Sequence, residues 1–163
     1  MARGVYTIVG SNITVANAAV TILFINPGTT AGIKIRRVDV SQAANATSAQ
    51  QRLDFITKVT AFPTLTAFTP KKTSLLDAVS VITGGTAGAA GTCGINASAQ
   101  GAGTEIIIDS FSFNALNGFL WVPTPGEEII MNASAASGFG VQFPAAPATL
   151  TGWNFTMTYE EMW

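Results

Sequence analysis

Trp153, Phe155, Met157 and Tyr159 alternate with Asn154, Thr156, Thr158 and Glu160, so an extended chain here places four large apolar groups on one face. This stretch predicts a strand. Leu53, Phe55 and Val59 alternate with Arg52, Asp54 and Lys58, and Phe139, Val141 and Phe143 alternate with Gly140 and Gln142 before Pro144 ends the run. Both read as half-buried strands. From Ile33 to Val40 the apolar positions are odd-numbered up to Ile35 and even-numbered from Val38, so one residue near Arg36-Arg37 has to be absorbed. A β-bulge does this. Ile106-Ile107-Ile108 followed by Phe111 and Phe113 shows a similar change of parity, and Pro123-Thr124-Pro125-Gly126 predicts a turn after Phe119 to Val122. The one helical candidate is Thr73 to Ser80, with Thr73 as cap of a single turn holding Leu75, Leu76 and Val79.

Eight to ten such strands, with no regular alternation of strand and helix, point to two packed antiparallel sheets or a closed barrel in a single domain over residues 1–163. The expected fold is all-β, a jelly-roll-like antiparallel sandwich. Gly84 to Gly103 breaks the pattern, reading G-G-T-A-G-A-A-G-T-C-G-I-N-A-S-A-Q-G-A-G without charge and nearly without large side chains. Such a segment lacks the apolar mass for a core of its own. It is expected to be a flexible surface loop or an intersubunit arm, so that the domain should fold without residues 86–102.

Hydrophobic residues make up 48% of the chain and charged residues 10%, well under the usual charged share of about 25%. Partners are expected to cover part of the surface. The longest apolar run, Val15 to Ile25, contains Asn17 and Thr21 and ends at Asn26-Pro27-Gly28, so it is too short to span a membrane and reads as a buried strand pair. Met1-Ala2-Arg3-Gly4 leads directly into Val5-Tyr6-Thr7-Ile8-Val9, and no secretory signal is expected. N-glycosylation patterns occur at Asn12, Asn45, Asn96, Asn132 and Asn154; without a signal they read as products of a composition rich in Asn, Ser and Thr.

Histidine is absent, which removes the usual neutral-pH acid and base and the commonest metal ligand. Neither catalytic chemistry nor a cofactor or metal site is expected. A carboxylate pair for glycoside cleavage, Glu127 or Glu128 with Asp39, Asp54 or Asp109, competes with plain solvation of adjacent acids after a Pro-Gly turn. Solvation is the simpler reading. The glycine-rich segment contains no phosphate-binding motif, and Cys93, the single cysteine, is expected to be a passive loop thiol.

All eight basic residues fall in positions 1–72 (Arg3, Lys34, Arg36, Arg37, Arg52, Lys58, Lys71, Lys72), with only Asp39 and Asp54 as acids. Every later charge is acidic: Asp77, Glu105, Asp109, Glu127, Glu128, Glu160 and Glu161. Two readings stay open: opposite charges meet within the sandwich, or a basic patch on one subunit meets an acidic patch on the next. For the second, Arg36, Arg37, Lys71, Lys72, Glu127 and Glu128 are candidate interface residues, with Gly84 and Gly103 bounding the arm. Nucleic acid is disfavoured by the few bases and the net charge of −1.

The stretches RRVDVSQ (36–42), ATSAQQRLD (46–54), Gly84 to Gly103, NGFLWVPTP (117–125) and Gly138 to Phe143 make the chain resemble small virion structural proteins of tailed bacteriophages, in particular head decoration or cement proteins. That resemblance implies a protein made in the host cytoplasm that joins the capsid surface, often as a homotrimer gripping the major capsid protein. The competing expectation is a receptor- or glycan-binding module of a tail fibre, with Trp121, Trp153 or Trp163 stacking on sugar rings. For Trp153, on the apolar face of its strand, core packing is the expectation.

Overall fold

The computed structural model describes residues 2–44 and 48–162, with the side chains of Ala2 and Arg3 excepted. Asn45, Ala46 and Trp163 lie outside the described residues. Thirteen strands run in chain order: β1 (Ala2–Ile13), β2 (Val20–Asn26), β3 (Gly32–Gln42), β4 (Gln50–Val59), β5 (Thr64–Ala67), β6 (Lys71–Lys72), β7 (Thr83–Gly84), β8 (Thr92–Ala99), β9 (Thr104–Asn114), β10 (Phe119–Trp121), β11 (Ile130–Met131), β12 (Ser137–Phe143) and β13 (Trp153–Met162).

They form two sheets packed face to face. One has the order β10-β3-β13-β1-β6 with β11 also on β3, and the other the order β5-β8-β2-β12-β4-β9 with β7 also on β8. Within them β1, β2, β3, β4, β9, β10, β12 and β13 make an eight-stranded frame, in which β10-β3-β13-β1 faces β2-β12-β4-β9. This is the strand order of a jelly roll. Residues 60–103, inserted between β4 and β9, supply β5 to β8, and these extend the sheets beyond β1 and β2. The opposite edge, β9 and β10, receives no such extension.

The expected alternation of β13 is realised along its whole length, with Trp153, Phe155, Met157 and Tyr159 buried between the sheets. Thr158 pairs with Arg37 and Tyr159 with Ile35, so Arg36 is the extra residue and the bulge lies where the parity changes. On β9, Phe55 pairs with Asp109 and Ile56 with Ile107, which makes Ile108 the extra residue there. Phe55 touches Phe111, Phe119, Trp121 and Phe139 with ring centroids 4.9 to 6.2 Å apart, joining the sheets at one end of the core.

Four expectations are corrected. Within Val15–Ile25 only β2 is a strand, fully buried along its length, rather than a strand pair. No helix forms at Thr73 to Ser80: the segment is a turn closed by Asp77 N–H donating to the Ser74 carbonyl, and Thr73 bonds Val5 rather than capping. The glycine-rich segment is not a loop or arm throughout, because Thr92–Ala99 is an internal strand between β2 and β5. Its small residues permit close approach: a Cβ on Gly94 would lie 2.6 Å from the Thr66 carbonyl oxygen, and one on Gly101 would overlap that of Phe62. Cys93 accordingly lies in a strand, buried.

Candidate functional site

The uncovered edge of the sandwich gathers the exposed apolar residues of the frame. β9 has a sheet partner only in β4, and the bulge at Ile108 interrupts its alternation, so Ile106, Ile107 and Ile108 are all exposed. Phe111 and Phe113 further along the strand meet Phe119 of β10 at 5.0 and 5.7 Å. Beyond Trp121 the chain turns away through Pro123 and Pro125. A hollow of about 400 Å³ is left there, lined by Ile108, Asp109, Trp121, Val122, Glu127 and Ile129 among others. Leu120 on β10, Val122 just beyond it and Ile130 on β11 are exposed as well. A second hollow of about 250 Å³ lies across Val122 and Pro123, against Arg36 and Glu128.

The proline turn is held by charge. Glu127 N–H donates to the Thr124 carbonyl at 2.9 Å, and Glu128 Oε2 accepts the Gly126 N–H at 2.9 Å. Backbone N–H groups of Glu128 itself and Gly126, with Lys34 and Arg36 nearby, hold the Glu128 carboxyl below the usual carboxylate range. Arg36, turned outward by the bulge, reaches Glu160 at 3.4 Å and Glu128 at 3.7 Å, while Lys34 reaches Glu128 at 3.8 Å.

Other pairs are also internal: Arg37 with Asp39 at 2.8 Å, Arg52 with Asp54 at 2.9 Å and Lys58 with Glu105 at 3.3 Å. The two halves of the charge asymmetry therefore meet within one chain at Lys34, Arg36 and Lys58. Lys71 and Lys72 are different. They lie exposed on β6, at the far edge of the sheet that holds Arg36 and Arg37, and make no ion pair among the described residues. Asp109 and Glu127, in the larger hollow, are likewise without a cation.

Of the candidate interface residues, Arg36 and Glu128 are thus brought together, Arg37 stays beside them on β3, and Glu127 lines the adjoining hollow. Gly84 packs against the Phe68 backbone, and Gly103 against the backbones of Val59 and Ala61, so neither bounds a free arm. The carboxylate pairs considered for glycoside cleavage are divided: Asp39, Asp54 and Glu128 are engaged by cations, and only Asp109 and Glu127 share a hollow. Among the described residues no three metal-ligating side chains cluster, and no helix is long and apolar enough to cross a membrane.

Trp121 lines the hollow with its ring against Phe55 at 5.2 Å, whereas Trp153 is buried with its indole N–H donating to the Thr149 carbonyl at 2.7 Å. The Cys93 thiol donates to the Phe68 carbonyl at 3.1 Å, and burial pushes its pKa up to about 12. It is not poised as a nucleophile at neutral pH.

Sequence reading passed over two features. Three consecutive isoleucines cannot all face one side of a strand, so the run marks a strand either covered on both faces, as β2 is, or left bare, and the fold decides which. Leu75 and Leu76, expected within a single helical turn, stand in solvent at 95% and 97% exposure. The chain matches no protein-family profile and has no significant match among curated proteins.

Proposed function

We propose that this protein is a non-enzymatic structural subunit of a virus particle, a decoration or cement protein that stabilises a phage head by binding its major capsid protein. The observation that carries the reading is the uncovered β9/β10 edge, where Ile106, Ile107 and Ile108 of β9, Leu120 of β10 and the adjoining Val122 are exposed, with Ile130 exposed on β11, which like β10 pairs with β3. Exposed clusters of this kind mark protein interfaces. Covering the exposed half of each side chain contributes about 1 kcal/mol, or about 6 kcal/mol for six. Association itself costs about 4 to 15 kcal/mol in lost freedom, so a lasting contact requires additional surface, such as a repeating shell supplies.

Jelly rolls occur in viral capsid domains, and also in lectins. A second reading, a glycan-binding module, is favoured by Trp121 beside Asp109 and Glu127 in one hollow, since an aromatic face with acceptor oxygens suits a sugar ring. Sedimentation with empty shells of the major capsid protein encoded by the same genome separates the two. Saturable binding without any glycan is expected. Binding to a glycan array with none to the shells would sink the decoration reading and leave the second.

A further inference from the structure

The apolar loop at one edge of the molecule and the hollow at the other are complementary in charge, and the hollow offers Ile108, Trp121, Val122 and Ile129 as apolar lining. Leu75 and Leu76 are almost wholly exposed, yet their loop is fastened from behind. The Thr73 N–H and hydroxyl both donate to the Val5 carbonyl, the Val5 N–H donates to Asp77 at 3.0 Å, and the Tyr6 hydroxyl donates to the Ala78 carbonyl at 3.0 Å. Past the turn, the Val81 and Ile82 N–H groups donate to Glu161. The loop is displayed rather than merely loose. Next to it on β6 are Lys71 and Lys72, whereas the hollow across the molecule carries Asp109 and Glu127, all four without an ion pair among the described residues.

The loop and the hollow cannot meet within one copy. From β6 to β10 the sheet crosses β1, β13 and β3, four inter-strand spacings of roughly 4.8 Å each. We propose that copies of this chain associate head to tail, Leu75 and Leu76 of one seating in the β9/β10 hollow of the next while Lys71 and Lys72 face Asp109 and Glu127. This rests on reading the protein as an assembly subunit and names its partner as a second copy.

Pairing like patches brings like charges together. Pairing loop to loop sets four lysines face to face, and pairing hollow to hollow does the same with the acids. Antiparallel pairing of two β9 strands centred on Ile107 sets Glu105 of one opposite Asp109 of the other, which is unfavourable, and the bulge at Ile108 breaks the ladder. Docking loop to hollow satisfies both the apolar and the charged groups, and the placing of the two at opposite edges of the sheet favours joining each copy head to tail to two others. Such a contact closes into a ring if its rotation permits and otherwise grows as a filament.

The test is complementation of charge reversals, read by sedimentation velocity on the full chain. Wild-type protein is expected to self-associate, more weakly at high salt. The double variants Lys71→Glu/Lys72→Glu and Asp109→Lys/Glu127→Lys should each lose affinity by roughly tenfold or more, and an equimolar mixture of the two should associate again. Leu75→Ser/Leu76→Ser should also be monomeric; every changed residue is on the surface, and dichroism verifies that each variant is folded. A wild-type protein that stays monomeric at its solubility limit, or reversals that associate alone as the wild type does, would overturn the proposal, as would a mixture that fails to recover. Shell binding by the same proteins is scored separately. Self-association without shell binding overturns the decoration reading alone, whereas shell binding by a wild type that never self-associates overturns head-to-tail docking alone.

Discussion

The carboxylate of Glu161, buried near the end of β13, accepts the backbone N–H of Val81 at 3.0 Å. Ser80 donates its hydroxyl to the same carboxylate and the Ile82 N–H joins at 3.4 Å, so one acid anchors the end of the loop that displays Leu75 and Leu76. Glu161→Gln turns one acceptor into a donor and removes the charge from these bonds. Denaturant unfolding is expected to show a loss of about 2 kcal/mol, with faster amide exchange at Val81 and Ile82. Unchanged stability and exchange would show that the anchor is dispensable.

Cys93 is buried and its pKa is raised from 9.0 to about 12, while burial also raises that of Tyr159. Both groups stay protonated in the native state over a range where the unfolded chain has begun to ionise. Their contribution is therefore complete below pH 9 and declines as pH rises from about 9 toward 12, by about 1.4 kcal/mol per pH unit for each group titrating only when unfolded. The melting temperature should fall across this window, less steeply in Cys93→Ala. A thiol reagent at pH 8 should label Cys93 only after unfolding.

Removing residues 86–102 deletes β8 from between β2 and β5. The truncated chain exposes the β2 edge and loses the buried Cys93 and Ile95. It is expected to be unfolded or aggregated by dichroism and gel filtration, contrary to the dispensable arm that its composition suggests. A finer probe is Gly94→Val, whose added Cβ overlaps Thr66 and Leu65 and should cost about 1 to 3 kcal/mol.

Reversing Arg36 and Arg37 to Glu breaks pairs with Glu128, Glu160 and Asp39 inside the chain. These arginines are about half exposed, so the expected stability loss is about 1 kcal/mol. Self-association measured by sedimentation should persist, in contrast to the Lys71 and Lys72 reversal. Dissociation of the Arg36/Arg37 variant while it remains folded would return these residues to the subunit contact.

Alternation along the chain was sufficient for the all-β sandwich, for the inward face of β13 and for the parity break that Arg36 absorbs, because strand periodicity is a local property of covalent geometry. Chemistry carried by residue type was legible in the same way, as the missing histidines and the order of the charges show. What local pattern does not contain is which strands become neighbours. Thr92–Ala99 reads as filler because small, uncharged residues have no apolar mass of their own, yet between β2 and β5 that smallness is what lets three backbones close together. Leu75 and Leu76 show the converse: hydrophobicity states a preference for burial, and tertiary contacts alone decide whether a neighbour is there to satisfy it. The charges divide likewise. Sequence order separated bases from acids, but only the fold joined Arg36 to Glu128 and left Lys71, Lys72, Asp109 and Glu127 at opposite edges without an ion pair among the described residues.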